Sequence, residues 1–476
     1  MILRRLYQEQ LAQASYLLGC SATKEAVIID PNRDVEQYLA IAAHEGLRIV
    51  AVTETHIHAD FVSGARELVA RTGATLYLSG EGPEAWGYTY GSEEGALSLH
   101  NGDHVMIGNV RLDVLHTPGH TPEHLSFLIT DTLGADAPMG ICTGDFLFVG
   151  DVGRPDLLEK AAGVTGTMEN AARHLFHSLQ RLHDFPDYQQ IWPGHGAGSA
   201  CGKALGAVPQ STLGYEKRFN WAFALADEDR FVHTVLEGQP APPTYFAEMK
   251  RVNRQGPALL HSLAQPALLP VEQLTARLAA RAIVVDIRPA DTYAQGHIPG
   301  TINIPLAGPF LTWCGWLLPY NQSLMLLGEE DKCKEAISQL RLIGLDAVEG
   351  FWTLESLAYW EASGHALASI EQMTAEQLQE LMQKQQVTIL DVREPSEHAQ
   401  GFLPTSRNIP LGFLQQRDDI PRGQTIVIHC QAGTRSAIGA SLLAAQGYTP
   451  LFNLSGGFEA WQDADAPVER SVRKEP

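Results

Sequence analysis

The feature that most constrains this chain is a repeat in its C-terminal half. Ile283-Val-Val-Asp-Ile-Arg-Pro289, Gly296-His-Ile-Pro-Gly300 and Asn303-Ile-Pro305 return as Thr388-Ile-Leu-Asp-Val-Arg-Glu394, Gly401-Phe-Leu-Pro404 and Asn408-Ile-Pro410. Matching residues lie about a hundred positions apart, the size of one small α/β domain. Each copy opens on an apolar strand ending in Asp-x-Arg, and strand and helix signals then alternate, which implies a parallel sheet. Each copy is expected to close in a helix-rich segment, marked by Phe351-Trp352 in one and by Phe458 and Trp461 in the other.

The chain has 476 residues, too many for one core, and about two to four domains are expected. Gly238-Gln-Pro-Ala-Pro-Pro243 marks a boundary. The expected division is a first domain over 1–240, a linker over 241–265, and the two repeats over 266–365 and 366–476. In the first domain, Ala26–Asp30, Leu47–Thr53 and Val110–Leu115 read as strands and Thr167–Leu182 as a helix.

Lys plus Arg number 34 against 55 Asp plus Glu, a formal charge of -21. Phosphate backbones require clustered cations, so nucleic acid is excluded as a partner, and anionic membranes are disfavoured. No stretch has the apolar length of a membrane span. The first residues show no apolar segment behind Arg4 and Arg5, so no secretory signal is read there. Six scattered cysteines (Cys20, Cys142, Cys201, Cys314, Cys333, Cys430) do not make a disulfide framework and fit a reducing cytoplasm.

Chemistry concentrates in two places. After the apolar run Leu47–Thr53 comes Thr55-His-Ile-His-Ala-Asp-Phe61, with three possible metal ligands in five positions. Further on stand His116-Thr-Pro-Gly-His-Thr-Pro-Glu-His124, Cys142-Thr-Gly-Asp145 and Trp192-Pro-Gly-His195. Each follows a β-like run beside Gly or Pro, where a side chain can project from a strand end at little steric cost. Strand ends are where α/β folds place their sites. Four such loops delivering His or Asp point to a bound metal.

These motifs resemble the metallo-β-lactamase superfamily, through His56, His58, Asp60, His120, Asp145 and His195. The resemblance implies an αββα sandwich with metal at the strand ends. Superfamily hydrolases commonly use two zincs, the second held in part by a His directly after the Asp; here that position is Phe61, which cannot ligate. One metal is therefore expected. Two imidazoles and one carboxylate on a single ion form the facial set of non-haem iron(II) oxygenases. In this respect the chain resembles persulfide dioxygenases fused to rhodanese domains. That resemblance implies one Fe(II) per chain on His56, His120 and Asp145. His58, Asp60, His195 and Cys201 would then orient ligands or bind substrate. Zinc in a glyoxalase II-like thioester hydrolase is the alternative, and a non-catalytic sulfur carrier or sensor is a further one. Arg154, Lys203, Lys217 and Arg218 are candidates for a basic patch toward an anionic thiol.

The second place is Ile426-Val-Ile-His-Cys430-Gln-Ala-Gly-Thr-Arg435. An apolar strand feeds a short loop, and a helix is expected from Ala437 to Gly447. Loop N–H groups and a helix N-terminus can stabilise a Cys430 thiolate or a sulfur anion. Gln431, Ala432, Gly433, Thr434 and Arg435 form this loop, with Arg435 adding charge at its far end. With Asp391-Val-Arg393 and Asn408-Ile-Pro410, the segment resembles the rhodanese family, whose cysteine carries a persulfide. In the first copy Gly328 or Leu327 falls opposite Cys430, the neighbours are acidic, and Cys333 falls inside a helix, so that copy reads as inactive. Cys314 reads as core.

The implied fold is α/β, a metallo-β-lactamase sandwich followed by two rhodanese-like domains. The implied reactants are a low-molecular-weight persulfide (of glutathione, coenzyme A or a similar thiol), O2, sulfite and thiosulfate. A homo-oligomer is expected.

Overall fold

The computed structural model describes residues 1–162, 166–203 and 205–470. The chain divides into two compact units. One holds Met1–Leu263 with Leu340–Leu345, and the other holds the remainder.

In the first unit two six-stranded sheets lie face to face. One runs in chain order through Ile2–Gln8, Gln13–Cys20, Glu25–Ile29, Arg48–Thr53, Thr75–Ser79 and Leu97–Leu99. The other is ordered Ser211–Thr212, Gln190–Pro193, Gly140–Gly144, Leu125–Asp131, Val110–His116, His104–Ile107. The alternation of strand side chains explains the layering. Tyr16, Leu18, Val27 and Ile29 pack between the sheets against Leu112, Val114, Phe127 and Trp192. The opposite faces of the same strands take helices. Leu17, Ile28 and Val52 meet Tyr38, Ala42 and Leu68, while Ile141 and Ile191 meet Leu175, Leu179 and Phe231. This is the expected αββα sandwich. The expected helix over 167–182 is Met168–Arg181.

The stretch 241–265, expected as a linker with some helix, holds the helix Phe246–Gln255 and clusters with the first unit up to Leu263. Phe246, Met249, Lys250 and Asn253 form its buried face. Sequence polarity hid this role: Lys250 and Asn253 are polar yet buried.

The second unit holds two five-stranded parallel sheets of one topology. Their orders are Ala267–Leu268, Val348–Trp352, Leu324–Leu327, Ile283–Asp286, Ile302–Asn303, and Glu371–Met373, Leu451–Leu454, Ile426–His429, Thr388–Asp391, Arg407–Asn408. The match reaches individual hydrogen bonds. Asn303 Nδ2 donates to the carbonyls of Asp286 and Arg288, as Asn408 Nδ2 does to those of Asp391 and Arg393. The closing aromatics differ from expectation. Phe351 and Trp352 lie on a strand, and the counterpart of Trp461 is Trp360. Each of these tryptophans donates its indole N–H to a carbonyl six residues on. The copies also touch. Asn303 N donates to Ser441 Oγ at 2.9 Å, so the edge strand of the first copy rests on the helix Thr434–Ala445 of the second.

Among the described residues no helix is long and apolar enough to cross a membrane.

Candidate metal centre and sulfur-transfer loop

Four loops at strand ends of the first unit carry the expected ligands. His56 and His58 follow Arg48–Thr53, His120 follows Val110–His116, Asp145 follows Gly140–Gly144, and His195 follows Gln190–Pro193. All are buried. Gly144 makes the approach possible: its φ is +50°, and a Cβ there would stand 2.4 Å from Thr55 Oγ1 and 2.8 Å from His124 Nε2.

His56, His120 and Asp145 converge, each offering a donor atom within 4.8 Å of the others. Asp145 Oδ2 lies 3.9 Å from His56 Nε2 and 3.6 Å from His120 Nε2. Asp145 Oδ2 is buried without a hydrogen-bond partner. A carboxylate oxygen left so is costly unless a cation completes it. Burial and the neighbouring imidazoles hold His56 well below its ordinary pKa, and burial lowers His120. Both are then neutral, as metal ligands must be. Burial would raise the Asp145 pKa, but His195 and His120 outweigh it and keep the group ionised. This donor set fits one divalent metal.

The surroundings orient these donors. Asp30, at φ +53°, accepts from Thr55 N (2.6 Å) and from Thr55 Oγ1 (2.9 Å). The Thr55 hydroxyl, its proton committed to Asp30, accepts from His56 Nδ1 at 2.9 Å, which leaves Nε2 as the ligating nitrogen. His58 Nε2 faces Asp30 Oδ1 at 3.2 Å. Burial would lower the His58 pKa, but Asp30, Glu54 and Asp60 hold it at about 9, so His58 is cationic and outside the converging set. His195 spans two carboxylates, with Nδ1 2.7 Å from Asp145 Oδ1 and Nε2 2.7 Å from Asp60 Oδ2. Burial works against its protonation, but Asp145 and Asp60 raise it well above its ordinary value. Cys201 joins Asp60 and His195 in a second buried cluster. Phe61 is fully buried, its ring 4.4 Å from that of His58.

The candidate basic patch is absent as a patch. Arg154 is buried and paired with Asp156. Lys217 Nζ donates to the carbonyls of His183 and Phe185, Lys203 Nζ donates to that of Glu237, and Arg218 lies over the Phe219 ring. Each cation is engaged locally.

Several site residues carried no sequence signal. Asn253 Nδ2 donates to the carbonyls of His58 (2.8 Å) and Phe61 (2.7 Å), and its Oδ1 accepts from Ser63 N (2.9 Å). His124 Nε2 accepts from Asp145 N, and Glu123 Oε1 accepts from Ile57 N. His124 lay within the quoted motif, and its period from His120 was the one signal available.

In the second unit Cys430 ends the strand Ile426–His429 and is buried. Gly433 N donates to its Sγ at 3.1 Å, and Ser436 Oγ lies at 3.5 Å. The helix begins at Thr434, three residues earlier than expected. Thr434 and Arg435 thus belong to its first turn, and the loop proper is Cys430–Gly433. Gly457, at φ +59°, permits the close approach behind the loop; a Cβ there would meet the Cys430 carbonyl at 2.5 Å. Arg435 makes a two-pronged pair with Glu397, at 2.6 and 2.7 Å, so its charge is already matched. In the first copy, pairing of Asp286 with Leu327, as Asp391 pairs with His429, puts Gly328 opposite Cys430. Cys333 is buried in the helix Glu330–Leu342 and Cys314 in the helix Phe310–Leu317, as expected.

Comparison with known proteins agrees with this geometry. Residues 9–195 match the metallo-β-lactamase superfamily, and 270–351 and 374–464 each match the rhodanese-like domain. A crystal structure of a metallo-β-lactamase from Staphylococcus aureus subsp. aureus COL is 43% identical, covers 74% of this chain and 99% of its own, and superposes with a TM-score of 0.67. A mitochondrial persulfide dioxygenase of Bos taurus is 27% identical over 200 residues, 41% of this chain and 68% of that protein. A hydroxyacylglutathione hydrolase of Gloeobacter violaceus is 32% identical over 185 residues, 38% of this chain and 62% of that protein. A sulfurtransferase of Allochromatium vinosum is 35% identical over 91 residues, 19% of this chain and 85% of that protein. The chain therefore belongs to the metallo-β-lactamase superfamily through its first domain, and its C-terminal half carries two rhodanese-like domains in tandem.

Proposed function

We propose that the chain is a bifunctional enzyme of sulfur metabolism: an iron-dependent persulfide dioxygenase whose C-terminal domain transfers sulfane sulfur. The observation that carries this reading is the convergence of His56, His120 and Asp145, whose Oδ2 is buried without a hydrogen-bond partner; in the second cluster, Asp60 and His195 are already paired with each other, and Phe61 adds no ligand beside them. The relatives named persulfide dioxygenase and sulfurtransferase support the two halves separately.

His56, His120 and Asp145 would hold one Fe(II), which when bound supplies the redox chemistry with O2 that no side chain of this site has. The net reaction is RSSH + O2 + H2O → RSH + sulfite + two protons. The chain's own residues set the stage for it. Thr55 and Asp30 fix the His56 ring. His195 holds a proton between Asp60 and Asp145 and fixes the carboxylate. Burial of the whole cluster excludes bulk water.

In the C-terminal domain Cys430 is the nucleophile. Its thiolate attacks the outer sulfur of a persulfide; the new S–S bond forms as the old one breaks, and the thiolate RS⁻ leaves with the electron pair. A sulfite lone pair then attacks the outer sulfur on Cys430, giving thiosulfate and restoring the thiolate. The reverse flow uses the same cysteine. The proposed places of these functions are residues 1–240 and 366–476, in a reducing cytoplasm.

The test is an oxygen-electrode trace of the iron-loaded full chain with glutathione persulfide, beside metal analysis. About one iron per chain is expected, with O2 uptake matched by sulfite. Tight binding of two zincs, thioester hydrolysis and no O2 uptake would instead establish the hydrolase that the Gloeobacter relative is named for.

A further inference from the structure

The repeat gives this chain an internal control. Contacts that hold the fold recur in both copies. Arg288 pairs with Asp286 and donates to the Gly296 carbonyl, as Arg393 pairs with Asp391 and donates to that of Gly401. The asparagine and tryptophan contacts also recur. Contacts found only beside Cys430 are where residues tied to its chemistry can be sought.

Glu397 makes such a contact. Its carboxylate takes both arms of Arg435, Oε2 at 2.6 Å from Nη1 and Oε1 at 2.7 Å from Nη2. Counting from the matched Asp286 and Asp391, Thr292 stands in its place in the first copy. There the cysteine is replaced by Gly328, and the following helix opens Glu330-Asp-Lys-Cys333 with no arginine. Cysteine, arginine and glutamate are lost together. Two further carboxylates stand near the loop. Glu394 caps the same short helix as Glu397, and Glu459 accepts from Gln431 Nε2.

A guanidinium fork is the natural receptor for two oxygens of a sulfonate-like anion. Here a carboxylate already fills it. To use this fork, sulfite or thiosulfate must displace Glu397 and approach Glu394 and Glu459, and such built-in repulsion is how sites discriminate. The reacting end of a persulfide carries one charge, on sulfur, and presents no pair of oxygens to the fork.

We propose that Glu397 determines the specificity of the Cys430 site, withholding Arg435 from dianions so that Cys430 exchanges sulfur with thiols and their persulfides in preference to sulfite and thiosulfate. This rests on the reading of Cys430 as the sulfur carrier. With a persulfide donor, Cys430 attacks the outer sulfur and RS⁻ departs with the electron pair. With thiosulfate the same attack expels sulfite, whose two charges emerge beside Glu397. Forward or reverse, the sulfite branch passes this residue.

The test is Glu397→Gln in the full chain. Glutamine can still accept from Glu394 N, as Glu397 Oε2 does at 3.0 Å, so the helix start is kept while the charge is removed. Transfer to cyanide is measured with thiosulfate and with glutathione persulfide as donors. The ratio of kcat/KM values should shift toward thiosulfate by at least about tenfold, the scale of one hydrogen bond to a charged group. Glu394→Gln, which removes a nearby charge but not the fork, should shift it by less than about threefold. An unchanged ratio in Glu397→Gln, or equal shifts in both variants, overturns the proposal. If Glu397→Gln does not fold, as judged by circular dichroism, Glu397→Asp is read in its place; it is too short to fork and should shift the ratio in the same direction. Loss of neither donor activity in Cys430→Ser would overturn the underlying reading instead.

Discussion

His195 Nδ1 lies 2.7 Å from Asp145 Oδ1, and that contact leaves Asp145 Oδ2 as the buried oxygen with no partner. One residue thereby selects which carboxylate oxygen is offered to a metal. The other end of the imidazole is anchored on Asp60, so the orientation of Asp145 depends on a residue eighty-five positions away in sequence. His195 thus bridges two buried carboxylates, which together raise its pKa well above the ordinary value against the effect of burial.

Replacing His195 by glutamine should lower metal affinity by about 10- to 100-fold, the usual cost of losing an outer partner of a ligand. The fold should persist, because the sheets do not depend on this side chain. Competition between a chelator and the full chain for Fe(II), read alongside circular dichroism, measures both. Unaltered affinity would remove His195 from the centre.

Asn253→Ala should loosen the same centre from the other side. The change leaves the carbonyls of His58 and Phe61 and the N–H of Ser63 without their partner. Three buried backbone groups are affected, so the cost is on the order of 3 kcal/mol. For a domain of this size that corresponds to a fall of about 6–12 °C in its thermal transition. Differential scanning calorimetry should show the loss in one transition only, and metal affinity should fall with it.

The convergence of the candidate ligands was legible in sequence because each lies in a loop that follows a strand, and a strand end aims a side chain at a fixed point. The repeat was legible because both copies keep Asp-x-Arg and Asn-Ile-Pro. What escaped reading has one physical character: partners brought in from distant elements. Asn253 sits on a helix whose polar composition resembles a linker. Asp30 gains its role from a positive φ at the end of a neighbouring strand. Glu397 looks like an ordinary solvated helix residue until its fork with Arg435 is seen. The cations read as a patch are engaged locally for the same reason: the carbonyls that take Lys203 and Lys217 are not visible in composition.

Cys430→Ser separates the two proposed activities. Persulfide-dependent O2 uptake should remain near the parent rate, because His56, His120 and Asp145, the proposed ligands, lie in the other unit. Thiosulfate formation should fall by about three orders of magnitude or more, as removal of a covalent nucleophile does. Unchanged thiosulfate output would take Cys430 out of the scheme.

The acid limb of stability should be set in part by Asp391. The residue is fully buried. Burial pushes its carboxyl up, but Arg393, His429 and His398 outweigh this and hold it at about 2, against an ordinary 3.8. A depressed carboxyl stabilises the folded state at pH values above its unfolded pKa, and that contribution is lost as pH falls through the folded one. The window is therefore from about pH 4 down to 2, and the amount is of the order of 2–3 kcal/mol. Asp391→Asn should be destabilised near neutrality, with Arg393 left unpaired, and the gap to the parent should narrow as pH falls from 4 to 2. Asp286 provides the comparison: burial raises its carboxyl, and Arg288 does not offset that. Asp286→Asn should cost less, and its gap to the parent should not narrow in the same window. Thermal unfolding of the parent and both variants between pH 7 and 2 decides the matter, and a gap for Asp391→Asn that stays constant across the whole range would show that its charge is not what stabilises the fold.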